Sequence, residues 1–176
     1  MIFSKRALSK TRLVVLDFDG VMTDGGIYLN ENGEGFRRFD VKDGLGIKLL
    51  QKYLIQIAII SGSNSKTILS RAEALGIKIK RVGISDKLSE LKSIQKELNI
   101  TPLETLFLGD DINDLIVLDS VNLFIVPANA HKACKEKASL VSNSIGGDGF
   151  IREIVDQILL SKGIDPYVPL KTKNDF

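Results

Sequence analysis

The sequence predicts an α/β fold, a doubly wound parallel sheet with a β-hairpin insertion and no cap domain. Short apolar runs alternate with stretches of helical periodicity, and a hairpin pattern accounts for the one long interruption. Alternating strands and helices are typical of a parallel sheet that helices cover on both faces. A chain of 176 residues fits one domain spanning 1–176, since a domain of this size buries roughly 70% of its unfolded surface.

Five short apolar runs are predicted as the strands of the sheet. The first run, LVVL, is apolar at every position and is followed at once by acidic residues. Continuous apolar runs of this length are typical of strands that are buried on both faces. In chain order, the predicted strands are residues 13–16, 55–60, 77–82, 105–108 and 123–126.

Helical periods occupy the intervals between these strands. In the stretch 64–75, apolar residues recur at the spacing of one helix face. The last predicted helix also places its apolar residues on a single face. The predicted helices are residues 44–53, 64–75, 87–99, 111–119, 130–137 and 149–161. The predicted core covers about 12–162, and the proline-containing tail 163–176 is expected to lie outside it.

Residues 25–40 interrupt the alternation. Asn32-Gly33 lies between apolar residues on both sides, a strong signal for a β-hairpin. The interval from Asp24 to the next helix holds this hairpin alone, and the interval from Ser61 to Lys87 has room for one helix and one strand. Neither interval can hold a cap domain. The apolar residues of the hairpin are Tyr28, Leu29, Phe36 and Phe39.

Composition excludes several classes of partner. The net charge is +2, and the 24 Lys and Arg residues are scattered, so no nucleic-acid partner is expected. No apolar stretch is long enough to span a bilayer, so no membrane partner is expected. Cys134 is the only cysteine, which favours a reducing compartment. The basic segment MIFSKRALSK lacks the apolar core of a signal peptide. A cytoplasmic location is therefore expected.

Polar residues follow four successive predicted strands. In open parallel sheets, ligands bind outside the carboxyl ends of the strands. The first strand is followed by two carboxylates, the second by a hydroxyl, the third by a carboxylate and an ammonium group, and the fourth by an acidic cluster. These residues are Asp17, Asp19, Ser61, Gly62, Ser63, Asp86, Lys87, Gly109, Asp110, Asp111, Asn113 and Asp114.

Each of these motifs also has a purely structural interpretation. A residue from Ser61 to Ser65 could cap the following helix, with Ser63 or Asn64 favoured for that role, and Asp86 is a good N-cap residue. Lys87 alone could be a solvated surface residue, and the acidic residues of GDDIND could favour a helix dipole. Because all four motifs lie at the correct strand ends in chain order, we favour a common site.

A phosphate site with a bound cation explains this mixture of residues. Clustered carboxylates repel one another, and Mg²⁺ suits a site made of oxygen ligands. A hydroxyl and the backbone N–H groups after it can donate hydrogen bonds to phosphate, and a lysine can offset its charge. An Asp that faces a phosphate can act as a nucleophile, and a second Asp two residues later can transfer protons.

The motifs resemble a known family. DFDGVMTDG, IISGS, SDK and GDDIND match, in order, the four motifs of the haloacid dehalogenase-like (HAD) phosphohydrolases, whose fold is Rossmann-like. Residues 12 to about 160 more closely resemble phosphatases of 3-deoxy-D-manno-octulosonate (KDO) 8-phosphate, in the group that acts on phosphorylated 2-keto-3-deoxy sugar acids. The segments FDVKDGLGIKLL, RAEALGI, VGISDKL and GGDGFIREI carry this second resemblance.

The resemblance implies a role for each acidic residue. Asp17 would be the nucleophile and a Mg²⁺ ligand. Asp19 would be the acid/base and would offer its backbone carbonyl to the metal. Asp110 would be a direct ligand, and Asp111 or Asp114 would support the metal site. Together these roles imply hydrolysis of a phosphomonoester through an aspartyl-phosphate.

The resemblance also implies phosphate and sugar-acid contacts. Ser61, with Gly62, and Lys87 would bind phosphate, and Lys87 would steady the nucleophile. Relatives that use KDO 8-phosphate usually have Arg where this chain has Ser63. Phosphatases of 2-keto-3-deoxynononate 9-phosphate have Glu there, and N-acylneuraminate 9-phosphate remains a further alternative. The candidate contacts to the sugar acid are Lys42, Asp43, Ser63, Arg71 and Arg152.

Two further expectations concern assembly and a rival class of protein. The resemblance points to a homotetramer in which the glycine-rich segment 146–149 reaches an adjacent site, with a hairpin folded onto its own sheet as the alternative.

A receiver-like signalling domain also gathers Asp, a hydroxyl and Lys on a doubly wound sheet. In receivers the hydroxyl and Lys follow the later strands, and that order differs from the one here.

Overall fold

A six-stranded parallel sheet organises the chain in the computed structural model, which describes residues 5–168. The strand order is β5-β4-β1-β6-β7-β8, and every neighbouring pair is parallel. The predicted open α/β sheet is therefore confirmed. In chain order the strands are β1 (Leu13–Leu16), β2 (Tyr28–Leu29), β3 (Gly35–Phe36), β4 (Gln56–Ser61), β5 (Ile79–Val82), β6 (Thr105–Leu108), β7 (Leu123–Val126) and β8 (Leu140–Val141).

Helices cover both faces of this sheet. Val14 and Leu16 of β1 lie in one hydrophobic core, and Leu13 and Val15 lie in the other, because successive side chains of a strand point to opposite faces. The α-helices are α1 (Lys5–Ser9), α2 (Val41–Lys52), α3 (Lys66–Ala74), α4 (Lys87–Leu98), α5 (Lys132–Lys137) and α6 (Phe150–Ser161); the 3₁₀-helices are Pro102–Glu104 and Ile112–Ser120. Among residues 5–168, no helix has the length and apolarity needed to cross a membrane.

Several element boundaries differ from the predictions. Helix α2 begins three residues earlier than predicted, since the Asp40 side chain accepts hydrogen bonds from the Lys42 and Asp43 amides. The predicted helix 111–119 is a 3₁₀-helix rather than an α-helix. The elements α1, β8 and Pro102–Glu104 were not predicted, because five, two and three residues are too few to show a periodicity. Of the predicted tail, residues 169–176 lie outside the described part of the chain.

The predicted hairpin forms and projects from the domain. Tyr28 pairs with Phe36 across β2 and β3, and Gly33 adopts a positive φ of 77° in the turn. The side chains of Tyr28, Leu29 and Phe36 are each more than half exposed. Phe39 does not share this exposed surface, because its ring packs edge-on against Phe18 with 5.6 Å between centroids.

The glycine-rich segment 146–149 packs against its own chain. A side chain on Gly146 would collide with the Gly20 carbonyl oxygen, and one on Gly147 would collide with the backbone of Thr23. Glycine is required at both positions since two backbones approach each other closely. The segment therefore supports the loop that follows the first two aspartates of its own chain.

Candidate active site

Three of the four predicted strand ends line one cavity of about 390 Å³ at the carboxyl edge of the sheet, and Lys87, from the remaining one, contacts Asp17 beneath it. The loop after β1 supplies two aspartates, the end of β4 supplies a hydroxyl, and the segment after β6 supplies two further aspartates. Eight of the predicted strand-end residues line the cavity: Asp17, Asp19, Ser61, Gly62, Ser63, Asp110, Asp111 and Asn113.

Lys87 forms the buried floor of the site. Its ammonium nitrogen lies 2.9 Å from Asp17 Oδ1 and 2.6 Å from Asp114 Oδ1. The exposed fractions of the Lys87 and Asp114 side chains are only 4% and 0%, so solvent screens these charges weakly. Burial alone would lower the pKa of the Lys87 ammonium group, but Asp17 and Asp114 raise it. Lys87 therefore stays charged beside the predicted nucleophile.

Asp114 connects this floor to the acidic segment after β6. Its Oδ2 accepts hydrogen bonds from the backbone amides of Asp110 at 2.9 Å and Asp111 at 3.4 Å. A side chain on Gly109 would approach the Asp114 carboxylate to within 2.6 Å, so this position requires glycine. The Asp111 side chain accepts a hydrogen bond from the amide of Ile112 and begins the 3₁₀-helix.

Three carboxylates fit a divalent cation. One oxygen each from Asp17, Asp110 and Asp114 lies within 4.8 Å of the others. Burial, together with the neighbouring carboxylates, raises the pKa of the Asp110 carboxyl to about 8. Burial and Asp114 also raise the pKa of Asp17, an effect that Lys87 partly offsets. Such crowding of oxygen ligands favours a hard cation such as Mg²⁺.

The opposite wall of the cavity is built by the end of β4. Ser61 is buried and its Oγ accepts a hydrogen bond from the Ser63 amide, which leaves its hydroxyl hydrogen available to an anion. Helix α3 is capped by Ser65, whose Oγ accepts from the Thr67 amide, so the cap lies within the predicted range but not at the favoured Ser63 or Asn64. Ser63 instead lines the cavity.

Asp19 forms an ion pair that was not predicted from the sequence. Arg37, just after the hairpin strand β3, donates from Nε to Asp19 Oδ1 at 2.6 Å. The signal available in the sequence was the pair of adjacent arginines, Arg37 and Arg38, directly after the hairpin. Sequence separation hid the contact, because only the path of the hairpin brings its base to the first aspartates.

The candidate sugar-acid residues are placed elsewhere, apart from Ser63. Asp43 is buried and accepts hydrogen bonds from the Gly149 and Arg152 amides at the start of α6. The Arg71 guanidinium lies 5.1 Å from the centroid of the Phe39 ring. The remaining two candidates also lie away from the cavity wall: Lys42 is an exposed residue of α2, and Arg152 pairs with Asp156 at 2.7 Å.

Mg²⁺ affinity is predicted to increase with pH. The Asp110 carboxyl, whose pKa is raised to about 8, holds a proton below that pH and must release it to bind a cation. One displaced proton strengthens binding about tenfold per pH unit between about pH 6 and about pH 8. Calorimetric titration with Mg²⁺ measures this slope. The variant Asp110→Asn should bind weakly at every pH, and a pH-independent wild-type affinity would contradict the prediction.

Sequence comparison identifies a hydrolase family and a phosphatase to which this chain is similar. Residues 51–154 match the haloacid dehalogenase-like hydrolase family. The 3-deoxy-D-manno-octulosonate 8-phosphate phosphatase of Salmonella typhi is 38% identical over 152 residues, which cover 86% of this chain and 81% of that protein.

Solved structures show the same fold. The crystal structure of the Yersinia pestis 3-deoxy-D-manno-octulosonate 8-phosphate phosphatase has a TM-score of 0.89 and 37% identity, covering 92% of this chain and 88% of that one. The Moraxella catarrhalis enzyme, solved with magnesium, phosphate and KDO, has a TM-score of 0.87 and 31% identity, covering 90% and 91%. The chain therefore belongs to the haloacid dehalogenase-like hydrolases and, within them, to the family of the 3-deoxy-D-manno-octulosonate 8-phosphate phosphatases.

Proposed function

We propose that this enzyme hydrolyses the phosphomonoester of a 2-keto-3-deoxy sugar acid, KDO 8-phosphate first among them, and releases KDO and phosphate. The observation that carries the proposal is the arrangement of Asp17, which faces the cavity while Lys87 holds it from below. The named activity of the relatives supports the choice of substrate.

Asp17 is proposed as the nucleophile. Its carboxylate attacks phosphorus and forms an aspartyl-phosphate, and Lys87 restrains the oxygen that does not attack. Ser61 and the backbone N–H of Gly62 belong to the same cavity as Asp17 and can donate hydrogen bonds to the phosphoryl oxygens. The phosphate is thereby held between the nucleophile and a set of neutral donors.

Asp19 is proposed as the proton carrier of both steps. It donates a proton to the leaving oxygen during transfer to Asp17, then takes one from the water that hydrolyses the aspartyl-phosphate. Asp17, Asp110 and the Asp19 backbone carbonyl would hold Mg²⁺, with Asp114 and Asp111 supporting them. When bound, the ion supplies charge neutralisation that lets an anionic nucleophile approach an anionic phosphate.

Replacing the nucleophile is predicted to abolish turnover. Asp17→Asn keeps the shape of the side chain but removes the attacking charge, so kcat should fall about 10⁴-fold or more, as when other enzymes lose their nucleophile. Phosphate release measured with saturating Mg²⁺ tests this. Asp119→Asn, an exposed change later in the Ile112–Ser120 helix, is the matched control. Near wild-type turnover in Asp17→Asn, or turnover unaffected by a chelator, would contradict the mechanism.

In a panel of phosphomonoesters, the enzyme is predicted to hydrolyse sugar-acid phosphates most efficiently. We expect kcat/KM for KDO 8-phosphate to exceed that for hexose phosphates by about a hundredfold or more, because binding the remote part of the substrate is used in the transition state. The panel includes the 9-phosphates of 2-keto-3-deoxynononate and N-acylneuraminate, which test the two alternatives that Ser63 leaves open. Equal or better use of hexose phosphates would refute the proposed class. A single turnover per protein molecule would instead indicate the receiver-like alternative.

We further propose that the working unit is a homotetramer. The carboxylate of a sugar acid needs a cationic partner, yet no Lys or Arg lines the cavity among the described residues 5–168. The hairpin exposes Ile27, Tyr28, Leu29 and Phe36, more apolar surface than a two-stranded ribbon can bury on itself. Contact between the hairpins of neighbouring copies would bury this surface and bring a second chain close to the cavity.

Disruption of the hairpin surface is predicted to dissociate the assembly. Phe36→Glu places a charge in the proposed contact, where its desolvation is costly, so light scattering should show smaller species with lower activity. The control variant is Leu103→Glu, because Leu103 is an apolar residue about as exposed as Phe36 but lies beside β6, away from the hairpin. This variant should leave the tetramer intact. A wild-type monomer with full activity would contradict closure of the site by a neighbour.

A further inference from the structure

The ion pair between Arg37 and Asp19 joins the base of the hairpin to the catalytic loop. Arg37 Nε donates to Asp19 Oδ1 at 2.6 Å, whereas Nη2 donates to Oδ2 at the longer distance of 3.4 Å. The third donor, Nη1, contacts Ser65 Oγ at 3.3 Å, at the cap of α3. Three elements of the fold therefore determine where the guanidinium lies.

Arg37 and Asp19 differ in how far their side chains are exposed to the cavity. The Arg37 side chain is 8% exposed and does not line the cavity, so a substrate can scarcely contact it. The Asp19 side chain is 32% exposed and does line the cavity. Among the side chains that line the cavity, Arg37 therefore contacts Asp19, and we expect it to act on the reaction through that residue.

The uneven pair distinguishes the two oxygens of Asp19. Oδ1 accepts a short, charge-assisted hydrogen bond, and Oδ2 accepts one at the limit of hydrogen-bond distance. We propose that Arg37 is a positioning residue that anchors Asp19 through Oδ1 and holds Oδ2 only by the longer contact, so that Oδ2 carries the proton. This inference rests on the proposed function, in which Asp19 transfers protons.

The proton balance of both steps fits this division. In the first step an Asp17 oxygen bonds to phosphorus, the bond from phosphorus to the leaving oxygen breaks, and the proton on Asp19 Oδ2 moves to that oxygen. In the second step a water oxygen bonds to phosphorus, the aspartyl bond breaks, and a water proton returns to Oδ2. Oδ1 accepts the Arg37 hydrogen bond throughout, since it carries no proton in either state.

A series of substituted phenyl phosphates tests the inference. These substrates differ in the basicity of the leaving oxygen and lack the sugar acid, so they bind alike. A positioned acid matters most when the leaving oxygen is basic. For Arg37→Gln we expect kcat/KM to fall about tenfold or more on phenyl phosphate and much less on p-nitrophenyl phosphate. The plot of log kcat/KM against leaving-group pKa should therefore be steeper than for the wild type.

Three further variants make the result decisive. Asp19→Asn should show the same steepening, and Arg37→Lys, which keeps the charge but not the fork of donors, should fall between. Arg38→Gln is the matched control, because the adjacent Arg38 contacts Asp148 and the Gly147 carbonyl instead. Its slope should equal that of the wild type. Thermal unfolding checks that each variant is folded. If Arg37→Gln is not folded, the slope measured for Arg37→Lys decides whether Arg37 positions Asp19.

The outcomes separate the inference from the proposed function. An unchanged slope in both folded Arg37 variants, with a steeper slope in Asp19→Asn, overturns the positioning role alone. An equal loss of kcat/KM on all substrates also overturns the positioning role, because such a loss indicates that Arg37 has a structural role. If Asp19→Asn leaves the slope unchanged, or the wild-type protein releases no phosphate, the proposed function itself fails.

Discussion

The buried ammonium group of Lys87 is the constraint on which the site depends. Asp17 and Asp114 come from segments after two different strands, and both lie within 2.9 Å of this one cation. A buried charge costs several kcal/mol unless it is paired, so Lys87 stabilises both carboxylates in their buried positions. The position of Lys87 in turn depends on α4, whose Leu91 and Ile94 are fully buried in the core on one face of the sheet.

The loop that carries Asp19 is held by contacts from distant parts of the chain. Within the loop, Thr23 Oγ1 accepts hydrogen bonds from the Gly20 and Gly25 amides, both at 3.2 Å. The segment 146–149 closes it from outside, and Asp43 joins that segment to α2 through the amides at the start of α6. Asp43 therefore stabilises the frame of the site, and it does not line the described cavity.

The described cations near the site are paired with groups of the same chain. Lys87 is buried beneath Asp17, the proposed nucleophile, and Arg37 is paired with Asp19. Arg71 packs on Phe39, with Nη2 donating to the Asp40 carbonyl. The two arginines proposed from the sequence as carboxylate partners thus stabilise helices of the same chain. A sugar acid bound here would need a cation from outside the described cavity wall.

The sequence alone determined the succession of the longer strands and helices along the chain, the hairpin, and most residues around the cavity. It could do so because strand ends in a parallel sheet share one edge, which makes Asp17, Ser61, Lys87 and Asp110 neighbours whatever the side-chain detail. Only the tertiary structure decided which charges pair. Arg37 and Asp43 meet their partners across 18 and more than 100 residues. No local periodicity encodes such contacts, because they arise from the path of the hairpin and the packing of α6 against α2.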